Sequence, residues 1–111
     1  MIEITYRRET LPFNVYAYDI SATGHAHYGE PGQGDIVCAS ASTIFYTLAN
    51  FLNEIGADEL EGGDSEEGEF HISCRASVND LKVYTVISYS MYALELLAET
   101  YPDNVSIDMD I

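Results

Sequence analysis

Ile2, Ile4 and Tyr6 alternate with Glu3, Thr5 and Arg7, the two-residue period of a half-buried strand. After Leu11-Pro12-Phe13 the alternation resumes from about Asn14 to Ser21, with Tyr16, Tyr18 and Ile20 on one side and Val15 and Ala17 on the other. So short a break predicts an antiparallel pair. The period then changes. Val37, Ala41, Ile44, Leu48, Leu52 and Ile55 recur at three- and four-residue steps, which predicts a helix opened by Asp35 and closed where Gly56 can adopt a left-handed cap. Phe70, Ile72, Cys74 and Ala76 alternate with His71, Ser73 and Arg75 to give a third strand. A second helix, capped by Asn79 or Asp80, aligns Val83, Ile87, Met91, Leu94 and Leu97 and is stopped by Pro102. Val105, Ile107 and Met109 alternate with Ser106, Asp108 and Asp110 in a closing strand.

The order β-β-α-β-α-β predicts an α+β two-layer sandwich of about four mostly antiparallel strands, with both helices on one face. No internal repeat or compositional break divides the chain, so residues 1–111 are expected to form a single domain. Two segments carry no periodicity. Gly24 to Gly34 holds four of the eight glycines and is expected to be a mobile loop. Ala57 to Glu69 carries seven acidic residues and Gly62-Gly63, and is expected to be a solvated connection. Solubilisation is its ordinary role, and attraction of a basic peptide the alternative.

Charge sharpens this picture. Lys and Arg number 4 against 19 Asp and Glu, a formal net charge of −15. Such a chain is repelled by a phosphate backbone and by anionic lipid, so neither nucleic acid nor membrane is an expected partner, while a basic peptide is. The hydrophobic share of 47% supports a packed core and excludes a disordered acidic tail. No apolar run approaches the ~20 residues of a membrane helix, and the alternating N-terminus has no secretory-signal pattern. Two cysteines, Cys38 and Cys74, do not make a disulfide framework. A cytoplasmic chain with reduced thiols is expected.

The candidate chemistry centres on Cys38. With Asp35 as N-cap, its sulfur lies in the opening helical turn, where free backbone N–H groups and the helix dipole favour a thiolate. His25 lies thirteen residues earlier, across the glycine-rich loop, and can fold back as the base of a Cys/His pair. N–H groups at the helix start are candidate donors to an oxyanion. The same residues also have plain structural readings, Cys38 as a small core residue and His25 as a solvated loop residue. Asp35 is read either as the cap alone or as a third member orienting His25. Ser42, four residues after Cys38, shares its helix face as a further site residue or a polar spacer. His25, His27, His71, Cys38 and Cys74 are all acceptable zinc ligands, but no established ligand spacing is present. Cys74 falls on the core face of its strand, opposite His71 and Arg75. Tyr84, Tyr89, Tyr92 and Tyr101 flank the second helix as core-edge or subunit-contact residues.

Gly24-His25-Ala26, the glycine-bearing loop, then Gly34-Asp35-Ile36-Val37-Cys38-Ala39 and Ser42 resemble the signature of the ribosomal-processing cysteine protease family, Prp. The similarity extends along the chain in length, element order and acidic segment. It implies a cytoplasmic cysteine endopeptidase, generally dimeric, without cofactor or metal. Family members remove a short N-terminal extension from ribosomal large-subunit protein twenty-seven, cutting after a phenylalanine just before a basic mature N-terminus. Relatives act on phage capsid or scaffold proteins. By motif position the resemblance makes Cys38 the nucleophile and His25 the general base and acid, with Asp35 and Ser42 in support. The loop carrying Gly24, Gly29, Gly32 and Gly34 would move to admit the peptide. The competing reading is a catalytically silent, dimeric acidic module that binds basic peptides or ribosomal proteins.

Overall fold

The computed structural model of the chain describes residues 1–29, 35–63 and 68–111. Strand β1 (Ile2–Leu11) and strand β2 (Val15–Thr23) form the expected hairpin, in register from Glu3 opposite Thr23 to Leu11 opposite Val15. Its turn places Phe13 and Asn14 at φ of 66° and 57°, the left-handed backbone that matches the twist of a tight hairpin. Helix α1 (Ile36–Glu54) follows, then strands β3 (Asp58–Gly63) and β4 (Glu69–Ser77), helix α2 (Leu81–Thr100) and strand β5 (Val105–Asp110). The sheet order is β3-β4-β2-β1-β5. All neighbours are antiparallel except β1 and β5, which run parallel because α2 carries the chain back across the sheet.

One face of this sheet is apolar and supports both helices. Ile2, Ile4, Tyr6, Tyr18, Ile20, Phe70, Ile72, Cys74 and Val105 are buried from the sheet side. They meet Val37, Ala41, Phe45, Leu48 and Leu52 of α1 and Val83, Ile87, Met91 and Leu94 of α2. Helix α1 turns slightly from the expected stripe. Phe45 is buried against Phe70, with ring centroids 4.7 Å apart, and Ile44 is only half-buried. This helix carries no charge before Glu54 and is, by length and composition, apolar enough to cross a membrane. Its apolar stripe is instead buried in the core.

The opposite sheet face is polar and carries an exposed ion pair, Arg7 with Asp110 at 3.1 Å, and an exposed hydrogen bond between His71 and Asp19 at 3.0 Å. Such an exposed ion pair is worth about 0–1 kcal/mol. The caps follow the sequence closely. Asp80 rather than Asn79 caps α2, accepting from the Val83 N–H at 3.2 Å. Gly56, at φ 70°, closes α1 with paired bonds from Gly56 N–H to the Asn53 carbonyl and from Ala57 N–H to the Leu52 carbonyl. Among the tyrosines of α2, Tyr84 faces the Arg8 guanidinium 5.6 Å from its ring centre, while Tyr89 and Tyr92 are exposed.

Part of the acidic segment, expected to be a solvated connection, is strand β3 at the sheet edge. The alternation is missing for physical reasons. Glu59 sits at φ 51° in a register shift between Asp58 and Glu61, so side chains do not alternate between faces. Leu60 alone supplies an apolar contact with the core, while Glu59 pairs with Arg75 at 3.1 Å. A charged, irregular edge also resists pairing with another chain.

Gly62 is where this edge demands glycine. It has φ 141°, and a Cβ there would collide with the His71 carbonyl oxygen of β4. Gly62→Ala is therefore expected to destabilise the chain by about 1–3 kcal/mol. Gly63→Ala, with nothing within 4 Å of its added Cβ, should cost less. Urea midpoints of the two variants test this ordering, and equal midpoints would contradict it.

Candidate active site

Strand β2 ends at Thr23, and the next five residues are held at the same end of the sheet by contacts from four directions. Gly24 adopts φ 92°, and its backbone passes so close to the Met1 carbonyl that no Cβ fits. Its N–H donates to the Gly68 carbonyl at 2.8 Å. The exposed His25 ring lies over Gly68, where an added Cβ would come within 2.9 Å of Nε2. Ala26 buries its methyl group, donates its N–H to Cys38 Sγ at 3.3 Å and accepts from Asn104 Nδ2 at 2.8 Å. His27 then turns the chain at φ 55°. Tyr28 donates its N–H to Asp35 Oδ2 at 3.1 Å, and its ring packs edge-on against Tyr101.

Asp35 answers from the other end of the loop. Its Oδ1 accepts from the N–H groups of both Val37 and Cys38 at 3.0 Å. One carboxylate thus caps α1 and ties Tyr28 to the helix start. Burial works to raise the Asp35 carboxyl, but the backbone N–H groups of Cys38, Tyr28 and Val37 outweigh it and hold the group below the usual carboxylate value.

This geometry changes the expected electrostatics of Cys38. The Val37 and Cys38 N–H groups, expected to serve a thiolate or an oxyanion, are bound by Asp35. Burial pushes the half-buried Cys38 thiol up, as does the Asp35 carboxylate through its charge and its hydrogen-bonding capacity. Against them, the Ala26 N–H favours the thiolate. The net direction for the Cys38 thiol is therefore upward, opposite to what the helix dipole alone would give. Cys74 is a core residue, pushed by burial to about 11.

The structure thus brings together Cys38, Asp35 and the backbone on either side of His25. It sets the His25 ring against Gly68 and leaves Ser42 exposed, one turn beyond Cys38. Gly29 is at φ 89° in open space, whereas Gly32 and Gly34 lie outside the described residues. The zinc-capable side chains are dispersed, with His71 paired to Asp19 on the far sheet face and Cys74 in the core. Among the described residues no three metal-ligating side chains gather. Sequence reading missed Gly68, Tyr101 and Asn104 as parts of the site. A lone glycine in an acidic run and an Asn two residues after Pro102 give only faint signals, because their partners lie far off in sequence.

Asp35 carries a testable pH dependence. A carboxyl held below its unfolded value of about 3.9 adds stability that is present at neutral pH and lost as pH falls through the folded-state value. Asp35→Asn keeps a capping oxygen but not the charge. The variant should be less stable than the parent at neutral pH, with the gap closing below about pH 4. Removing the charge beside the sulfur should also speed alkylation of Cys38. Urea midpoints across pH and mass-resolved alkylation check both parts, and a gap that persists in acid would contradict the first.

The family model described as cysteine protease Prp matches residues 1–106. No curated protein matches the chain by sequence. Among solved structures, an essential ribosomal processing protease Prp from S. aureus, in complex with a covalently linked product peptide, superposes with a TM-score of 0.78 at 24% identity, over 99% of this chain and 100% of that one. The S. aureus protease with a substrate peptide gives 0.75 at 23% identity, with the same coverage. SMU.848 from Streptococcus mutans gives 0.73 at 27% identity, over 99% of this chain and 94% of that one. The family match runs from the first strand into the last and takes in the whole cluster around Cys38, so the chain belongs to the cysteine protease Prp family and is a cysteine peptidase.

Proposed function

We propose that the chain is a ribosomal-processing endopeptidase in which Cys38 is the nucleophile and His25 the general base and acid. The observation that carries this reading is the hydrogen bond from Ala26 N–H to Cys38 Sγ at 3.3 Å, which seats the sulfur against the residue that follows His25. Burial and Asp35 both push the thiol up, so the reading needs a base; of the two imidazoles on that loop, His25 and His27, the family resemblance assigns that role to His25.

In this mechanism His25 takes the Cys38 proton as the sulfur attacks the scissile carbonyl carbon. The carbonyl electron pair moves to oxygen. Collapse of the tetrahedral intermediate expels the amine, which receives the proton from the imidazolium and leaves a thioester on Cys38. Water, deprotonated by His25, then attacks the thioester and releases the acid and the thiol. Asp35 acts through the loop and helix it joins, and Ser42 lines the helix face beside the sulfur.

For substrate, we take the N-terminal extension of ribosomal large-subunit protein twenty-seven, cut after a phenylalanine in the cytoplasm by a homodimer, as the family resemblance implies. The S. aureus structures described as ribosomal processing proteases, one with a substrate peptide and one with a product peptide, support this choice. So does the charge of −15, which suits a basic precursor.

Mass spectrometry of the extended precursor should show a single cut after the phenylalanine with the wild-type chain, and the same incubation is run with Cys38→Ala and with His25→Ala. Both variants should lose at least about 10³-fold in rate while staying folded. A folded wild type with an alkylatable Cys38 but no cut would discard this substrate in favour of another, such as a phage capsid or scaffold precursor. No cut together with an inert Cys38 would favour the silent binding module.

A further inference from the structure

The Ala26 N–H is the one described backbone donor placed on the Cys38 sulfur, and the means by which it is held there lies in a distant part of the chain. Asn104, in the turn between α2 and β5, is half-buried and reaches 78 residues back to the Ala26 carbonyl, donating from Nδ2 at 2.8 Å. Its own backbone is fixed on both sides. The Asn104 carbonyl accepts from Ile2 N–H at 2.9 Å, and its N–H donates to the Tyr101 carbonyl at 3.0 Å. Tyr101 of the same turn packs against Tyr28.

We infer that Asn104 is a positioning residue for the peptidase chemistry: its side-chain amide anchors Ala26 so that the Ala26 N–H stays on the Cys38 sulfur. The inference rests on the reading of Cys38 as nucleophile. An amide N–H favours a thiolate only while it points at the sulfur, and its direction follows the torsions of the residue that carries it. Ala26 is pinned at two points besides that bond, its buried methyl group and the carbonyl held by Asn104. Without the second, the residue can rotate about the first, and the N–H swings off the sulfur. A carbonyl needs a donor here, which the Asn amide supplies and an apolar side chain of similar shape does not.

The test compares the wild-type chain with Asn104→Leu, close to the same shape without the donor, and Asn104→Ala. Iodoacetamide labelling is followed from about pH 7 to pH 10, with peptide mass resolving Cys38 from Cys74. In both variants Cys38 labelling at about pH 8 should slow about three- to tenfold, with its pH midpoint displaced upward. Cys74, buried in the core, should stay slow and so report that the fold is intact. An unchanged Cys38 profile in folded variants overturns the inference and leaves Cys38 as nucleophile. Variants in which Cys74 labels as fast as Cys38 would make Asn104 a residue of stability alone, which also overturns it. A wild-type Cys38 as inert as Cys74 would remove the nucleophile and this inference with it.

Discussion

The Asp35 carboxylate is the constraint on which the site depends. A helix start leaves four backbone N–H groups without intrahelical partners, and Asp35 takes two of them on one oxygen. Its other oxygen takes the Tyr28 N–H from the far side of the glycine-rich loop. The two ends of that loop are therefore stapled together whatever lies between them. The staple sets where α1 begins, and with it where Cys38 faces the loop.

The arrangement has an electrostatic consequence. Two of the N–H groups that a helix start would lend to a thiolate are taken by Asp35, and that carboxylate stands beside the sulfur. What opposes this comes from the sheet. Thr23 is opposite both Glu3 and Glu69, and Ile2 is opposite Val105, so the exit of β2 and the starts of β1, β4 and β5 share one end of the sheet. From that end Gly68 and Asn104 reach the segment after β2, and Ala26 presents its N–H to Cys38. Helix α1 brings Cys38 and the sheet end brings its surroundings. The two-layer packing of α1 on the sheet brings them together.

Much of this was legible in the sequence, and the exceptions share a cause. Regular alternation marked β1, β2, β4 and β5, because one sheet face is buried and the other is wet. The stripes of α1 and α2, the caps Asp35 and Asp80 and the closing Gly56 were legible for the same reason: each is decided by residues within a turn of one another. The pairing of Gly24-His25-Ala26 with Asp35 to Cys38 was legible as motif chemistry. Strand β3 was not, because Glu59 breaks its alternation and an edge strand needs little apolar content. Asn104, Gly68 and Tyr101 were not, because they act on the loop through contacts that only the folded sheet creates. The direction in which the Cys38 thiol is pushed was not legible, because a cap oxygen that satisfies N–H groups of a helix start also withholds them from a neighbouring sulfur.

The net charge of −15 adds a last constraint, and distance decides what it does. At physiological ionic strength the screening length is about 8 Å, so carboxylates spread over the surface act weakly on any single buried atom. A basic peptide approaching the chain meets their summed field, which raises its encounter rate without fixing its chemistry. At Cys38 the balance is local. Asp35 is close enough to oppose the thiolate, and Ala26 is close enough to favour it. A negative chain can therefore draw in a cationic peptide through its summed field while the ionisation of Cys38 is decided by groups within the first few ångströms of the sulfur. The separate contacts that hold the short loop after β2 keep the Ala26 N–H within that range.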